Sequence, residues 1–355
     1  MNTVNNSNRD WLIDIKDLHV KFSQDDETIN AVNGVDIRVH KGEAVGIVGE
    51  SGCGKTVTSY SMLNILPSNG EIVSGEVRYR EDNGNVIDIT RLNPRSREMR
   101  RLRGGEIAMI FQEPMASFSP VHTIRDQIAE GILLHQPPKD KRVREIIIEY
   151  LGMVGISNPE RAIDAYPFQL SGGMRQRAMI AMALACNPKV LVADEPTTAL
   201  DVTIQAQVLM LIKKMQQELG LALVLITHDL GVIAHMADFV YVMYLGRVVE
   251  RGPVVKIFNS PKHPYTRDLI RSIPKLNTPE KRLATIQGNV PDASRLPSGC
   301  AFHPRCREII GETCRRDQPV LEEVEADHFA GCFLYSTHEE TEPNTGGTDS
   351  VEYPS

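Results

Sequence analysis

Eight residues, Gly49-Glu50-Ser51-Gly52-Cys53-Gly54-Lys55-Thr56, have the types and spacing of a phosphate-binding turn, G-x-x-x-x-G-K-[ST]. Glycines let backbone N–H groups converge on phosphate oxygens, and the helix that follows turns its positive end toward the anion. Lys55 supplies a mobile point charge, and the Thr56 hydroxyl is a ligand for Mg²⁺. Cys53 fills a free position of the pattern and has no catalytic role expected of it. A second group, Asp194-Glu195, closes the apolar run Val190-Leu191-Val192-Ala193. Both carboxylates should emerge at the C-terminal end of a strand, beside the phosphates. There Asp194 would hold Mg²⁺ through water, and Glu195, with no metal to satisfy, would polarise the attacking water as general base.

A third group is Cys300-x5-Cys306-x7-Cys314-x17-Cys332. Four thiolates are the ligand count of an iron–sulfur cluster and of a structural zinc. Zinc sites favour close C-x2–4-C pairs, which are missing here, so the spacing favours a [4Fe–4S] cluster. Zinc and four ordinary buried cysteines remain the alternatives.

The elements that must position these groups follow from periodicity. Residues 11–48 alternate apolar and polar positions, as antiparallel strands do, and end in the buried strand Ala44–Val48. A helix should run from Lys55 to about Leu66. Glu106–Phe111 is a further short apolar run. From Ser119 to Asn187 the period is helical, broken at Pro137-Pro138 and Asn158-Pro159. All-apolar strands return at Val190–Ala193 and Leu221–Ile226, as in a parallel sheet covered on both faces. The fold class is α/β, with a helical insert bracketed by pieces of one core.

Leu170-Ser171-Gly172-Gly173-Met174-Arg175-Gln176 resembles the signature of ATP-binding-cassette ATPases. That resemblance implies a RecA-like core with an antiparallel β subdomain and a helical insert. It also implies that Ser171, Gly172, Gly173 and Gln176 serve the nucleotide of a partner cassette. By the same resemblance Gln112 is the glutamine that contacts Mg²⁺ or water and senses the membrane partner. Asp201, in Ala199-Leu200-Asp201, joins the two nucleotide sites across a dimer. His228 is the switch histidine that touches the γ-phosphate, and Phe22 stacks on adenine.

Phe111-Gln112-Glu113-Pro114-Met115-Ala116-Ser117-Phe118-Ser119-Pro120 narrows the resemblance, as do His263–Leu269 and Pro297–Cys306. They are similar to stretches of the D-type ATPase subunits of bacterial and archaeal oligopeptide/dipeptide importers. What this implies is an ATPase that powers peptide import. Its partners would be a second ATPase chain, two transmembrane permease chains and an external peptide-binding protein. Importers of nickel or other cargo, and soluble non-transport cassettes, are the competing classes. The expected domains are a cassette at 11–250 (helical subdomain about 116–187), an extension at 251–335, and an acidic disordered tail at 336–355.

Composition sets the remaining bounds. The net charge is −7, and Glu339, Glu340, Glu342, Asp349 and Glu352 contribute five of those charges with no Lys or Arg after residue 335. The net charge of −7 argues against nucleic acid as a partner, and without the tail the body is nearly neutral. No run approaches the ~18 apolar residues of a membrane span. The N-terminus has no apolar segment of signal type. The expected location is the cytoplasmic face of the membrane, reached through partners.

Overall fold

The computed structural model describes residues 10–24, 27–112, 117–138, 142–198, 200–273 and 286–335. Glu113–Ala116 of the importer-like stretch, Ala199 and the acidic tail lie outside the described residues.

The alternating segments form two long antiparallel strands, β1 (Trp11–Gln24) and β2 (Glu27–His40). With β4 (Gly70–Arg80) and β5 (Val86–Asp88) they make a four-stranded sheet in the order β2-β1-β4-β5. The apolar runs form a second sheet. Its parallel strands are β3 (Ala44–Val48), β6 (Ile107–Ile110), β7 (Val190–Asp194), β8 (Ala222–Ile226) and β9 (Phe239–Tyr244). Both faces are covered, which explains their uniformly apolar sequences. Val45, Ile47, Val190, Val192 and Val224 pack toward the antiparallel sheet. Ala44, Val48, Leu191, Ala193, Leu223 and Leu225 pack toward helices on the other side. Each such side chain, fully buried, contributes roughly 1.5–3 kcal/mol if it is Val or larger.

Helix α1 (Lys55–Met62) follows β3 and is shorter than the sequence suggests. Asn64 adopts φ +50° and Pro67 follows closely, so the turn cannot continue. After α2 (Arg97–Gly105) the helical insert supplies α3 (Ile124–His135), α4 (Val143–Met153), α5 (Pro159–Ala162) and α6 (Gly172–Leu184). Thr123 and Asp126 form a reciprocal capping box that sets the start of α3. The core then resumes with α7 (Val202–Leu219) and α8 (Leu230–Met236).

Beyond β10 (Arg247–Pro253), α9 (Val254–Asn259) and α10 (Pro264–Arg271), the chain makes α11 (Thr313–Arg316), β11 (Glu322–Glu325) and β12 (His328–Ala330). β12 pairs antiparallel with β10, giving an eight-stranded order β11-β12-β10-β9-β3-β8-β7-β6. The extension therefore completes the central sheet rather than trailing from it. Its fastening is Glu250 on β10, which is fully buried. The Glu250 carboxylate accepts from the amides of Lys262 and His263 at 2.7 and 2.8 Å and lies 2.7 Å from His328 Nε2.

Candidate functional site

Four parallel strands end level with one another. Ile47 of β3 and Asp194 of β7 both pair with Ile226 of β8, and Ile110 of β6 pairs with Ala193. The next residues along each strand therefore meet in one crevice at the carboxyl edge of the sheet, where open α/β sheets bind ligands. They are the phosphate loop after β3, Gln112 after β6, Glu195 after β7 and His228 after β8.

Within the loop, Gly49 and Gly54 are required by geometry. Gly49 has φ +155°, and a Cβ there would lie 2.2 Å from the Met243 carbonyl oxygen. Gly54 has φ +98° and caps α1, and its Cβ would lie 2.4 Å from the Ala31 carbonyl oxygen. Gly52 is also left-handed, and exposed Ser51 completes the bend. Lys55 is buried and folds back over the loop, donating from Nζ to the carbonyls of Gly49 and Glu50 at 2.8 and 3.0 Å. Cys53 is buried beneath it. Burial pushes its thiol pKa up, with Lys55 opposing, so the group is a neutral thiol.

The Thr56 hydroxyl donates to Asp194 Oδ1 at 3.3 Å, which juxtaposes the two oxygens expected at Mg²⁺. Burial, helped by the neighbouring Glu195 charge, lifts the Asp194 carboxyl to about 6. A divalent ion binding there has to displace a proton on the acid side of neutrality. Glu195 sits at φ +45° just past the strand. Its Oε2 accepts from Gln112 Nε2 at 3.2 Å and from the Thr198 hydroxyl at 3.0 Å, and its Oε1 lies 3.1 Å from His228 Nδ1. Burial opposes the charge on Glu195. The contacts with His228 and Thr198 outweigh it and hold the carboxyl below the usual carboxylate range. Glu195 is thus an ionised carboxylate, whereas burial favours the protonated form of its neighbour Asp194.

The signature residues lie at the start of α6. Ser171 caps that helix, its hydroxyl accepting from the Met174 amide at 3.3 Å, so Gly172, exposed, and Gly173, half-buried beside Ile204, form its first turn. Gln176 is buried and donates to the Pro196 carbonyl, tying this helix to the turn that follows Glu195. Asp201 caps α7 by accepting from the Ile204 amide at 3.0 Å. Phe22 is half-buried on β1, directly across from Gly70, whose missing side chain makes room for the ring.

Three residues at the site were given no role there by the sequence, although Tyr265 and Arg305 fall within its importer-like stretches. Thr198 braces Glu195. Tyr265 and Arg305, both in the extension, bond Glu50 of the phosphate loop.

The four C-terminal cysteines line one small cavity, with about 10 Å³ of room. Amides of Glu308 and Ile310 donate to the sulfurs of Cys306 and Cys314, each at 3.3 Å. Burial pushes the thiols of Cys300 and Cys332 up to about 11 and about 12. No set of three or more His, Cys, Asp or Glu among the described residues is gathered tightly enough to hold a metal ion. The donors fit an iron–sulfur cluster in number and kind. The space holds about one water-sized sphere, so the thiols must spread to admit four irons.

Comparison with known proteins decides the family. The family model described as ABC transporter matches residues 32–198. The model for the oligopeptide/dipeptide transporter C-terminal region matches residues 249–314. The oligopeptide transport ATP-binding protein AppD of Bacillus subtilis (strain 168) is 46% identical, over 91% of this chain and 97% of its own. The chain belongs to the ABC transporter family. The dipeptide transport ATP-binding protein DppD of the same organism is 43% identical, over 91% and 94% of the two chains. Among solved structures, a dimeric post-hydrolysis state of the ATP-binding cassette MJ0796 with ADP and Pi superposes with a TM-score of 0.59 at 28% identity. It covers 68% of this chain and 99% of that one. As an ABC ATPase the chain is an ATP hydrolase. No described helix is long and apolar enough to cross a membrane.

Proposed function

We propose that this chain hydrolyses ATP to power the import of peptides through a membrane permease. The observation that carries the reading is the peptide-transporter C-terminal region at 249–314, joined through β10 to strand β9 of a cassette that carries the expected nucleotide groups. Lys55 and the loop amides bind the phosphates, and Thr56 and Asp194, with Gln112 nearby, hold Mg²⁺. Glu195 orients and deprotonates water, with His228 beside it toward the γ-phosphate. Phe22 supports the adenine. Ser171, Gly172 and Gly173 start a helix whose N-terminus suits an anion, so a second ATPase chain presenting its own loop completes the site. Asp201 sits at the same junction. The other partners are two transmembrane chains and, through them, an external peptide-binding protein. The place of work is then the cytoplasmic face of the membrane.

The test is ATPase activity of the complex recovered through this chain and reconstituted in lipid, with and without peptide-loaded binding protein. Peptide should stimulate turnover several-fold. A complex without membrane chains, or one indifferent to peptide, removes the import reading.

The cysteine quartet holds a [4Fe–4S] cluster in this reading, supported by its ligand count. When bound, the cluster would cross-link four separate segments of the extension. Anaerobically purified protein should be brown and contain iron and acid-labile sulfide. Colourless protein with stoichiometric zinc overturns it.

A further inference from the structure

The extension takes hold of the phosphate loop. Glu50, the first variable residue of that loop, has three polar groups, and each is engaged. Its carbonyl accepts from Lys55 Nζ at 3.0 Å. Its amide donates to the Tyr265 hydroxyl at 2.9 Å. Its carboxylate receives both arms of the Arg305 guanidinium, at 2.6 and 3.1 Å. Two of these three partners belong to the extension.

Arg305 is no surface ion: it is 7% exposed. Its Nε donates to the Gln287 carbonyl at 3.1 Å, and the guanidinium lies 5.9 Å from the Tyr244 ring centre and 6.0 Å from that of Phe302. Tyr244, Tyr265 and Phe302 pack against one another with centroids 4.7 to 5.4 Å apart, so the arm bearing Arg305 is seated on β9 beside the loop. A bidentate guanidinium–carboxylate pair fixed this way has a defined geometry, and losing one partner leaves an uncompensated charge.

The position of that charge matters. A triphosphate entering the loop is polyanionic, and a free carboxylate on Glu50 would oppose it. Lys55 must also exchange its bonds to the Gly49 and Glu50 carbonyls for bonds to phosphate. We propose that Arg305, with Tyr265, is a positioning residue of the nucleotide site: it cancels the Glu50 charge and fixes the loop's first turn from the extension, in cis. This rests on the chain's binding ATP and is independent of its cargo.

The experiment measures the ATP dissociation constant, KM and kcat of the whole complex for Arg305→Gln, Arg305→Lys and the pair Glu50→Gln/Arg305→Gln. Arg305→Gln should raise the dissociation constant and KM about tenfold, the effect of one unneutralised charge close to the phosphates. Most of kcat at saturating ATP should survive, because the loss lies in binding. Arg305→Lys restores the charge without the fork and should recover most of the affinity. In the double variant two neutral amides face each other, and affinity should return to within about threefold of wild type. By linkage, ATP should increase hydrogen-exchange protection of the 300–306 turn in wild type and not in Arg305→Gln. An unchanged ATP affinity in Arg305→Gln, or a double variant weaker than the single one, overturns the proposal. Should Arg305→Gln fail to fold, Tyr265→Phe keeps the ring and removes only the hydroxyl. It should weaken ATP about threefold, and wild-type affinity there counts against the idea. Nucleotide binding is read without peptide, so a complex indifferent to peptide would sink the import reading and leave this result standing.

Discussion

Both oxygens of Glu195 are held, one by His228 and the other by Gln112 and Thr198. Such a carboxylate is oriented and ionised, two conditions for a base that works on water. Glu195→Gln keeps the shape and most of the contacts while removing the basicity. Turnover should fall by about 10²–10⁴-fold, with ATP retained in a closed dimer seen by size exclusion. Lys55→Ala should instead act mainly on nucleotide affinity. Wild-type phosphate release from Glu195→Gln would remove this residue from the base role. Residues of this kind were legible because their constraints are local: glycines that must pass close to backbone, and carboxylates at the end of an apolar run. Arg305 was not. It reaches Glu50 across 255 residues of chain, and nothing in the Pro304-Arg305-Cys306 neighbourhood marks an arginine as aimed at a loop.

At the scale of elements, the parallel strands were readable because burial on both faces leaves no polar position to confuse the pattern. Helix α1 was overextended, since the apolar Leu63, Ile65 and Leu66 continue the period past the left-handed Asn64. The segment from β4 to α2 went unassigned. So did β11 and β12. Both are short: β11, Glu322–Glu325, is acidic as an exposed sheet edge is, and β12, His328–Ala330, carries too little apolar alternation to announce a strand. What makes β12 pair is tertiary: His328 is buried against Glu250, and Arg251 lies over the Phe329 ring at 4.3 Å. The signature helix shows the same limit. Its motif named the exposed turn at Ser171, but the bond from Gln176 to the Pro196 carbonyl, which couples that turn to Glu195, emerged only with the fold.

Over the whole molecule, cassette and extension share one sheet and one buried seam, so they should unfold together. The seam carries a titratable reporter. His263 is 2% exposed; it caps α10 by accepting the Tyr265 amide on Nδ1 at 3.1 Å, and its own amide is held by Glu250. Burial pushes its imidazole down to about 4, with Glu250 opposing and Arg267 assisting. The unfolded chain takes up a proton near 6.5 that the folded chain refuses until about 4. Stability from this group is therefore present above pH 6.5 and lost as pH falls through that window, by up to about 3 kcal/mol. Asp194 acts in the opposite sense. Lifted from 3.8 to about 6, it stabilises the fold on acidification through that range. His263→Asn separates the two, because asparagine can still cap the helix and does not titrate, while Asp194 is common to both proteins. Denaturant melts from about pH 4.5 to about pH 7.5 should then give a stability difference that shrinks toward acid by about 1 kcal/mol per pH unit. A difference independent of pH would mean that His263 is not the buried neutral group at this seam. A second transition in the melts would mean that the extension and the cassette do not share one cooperative core.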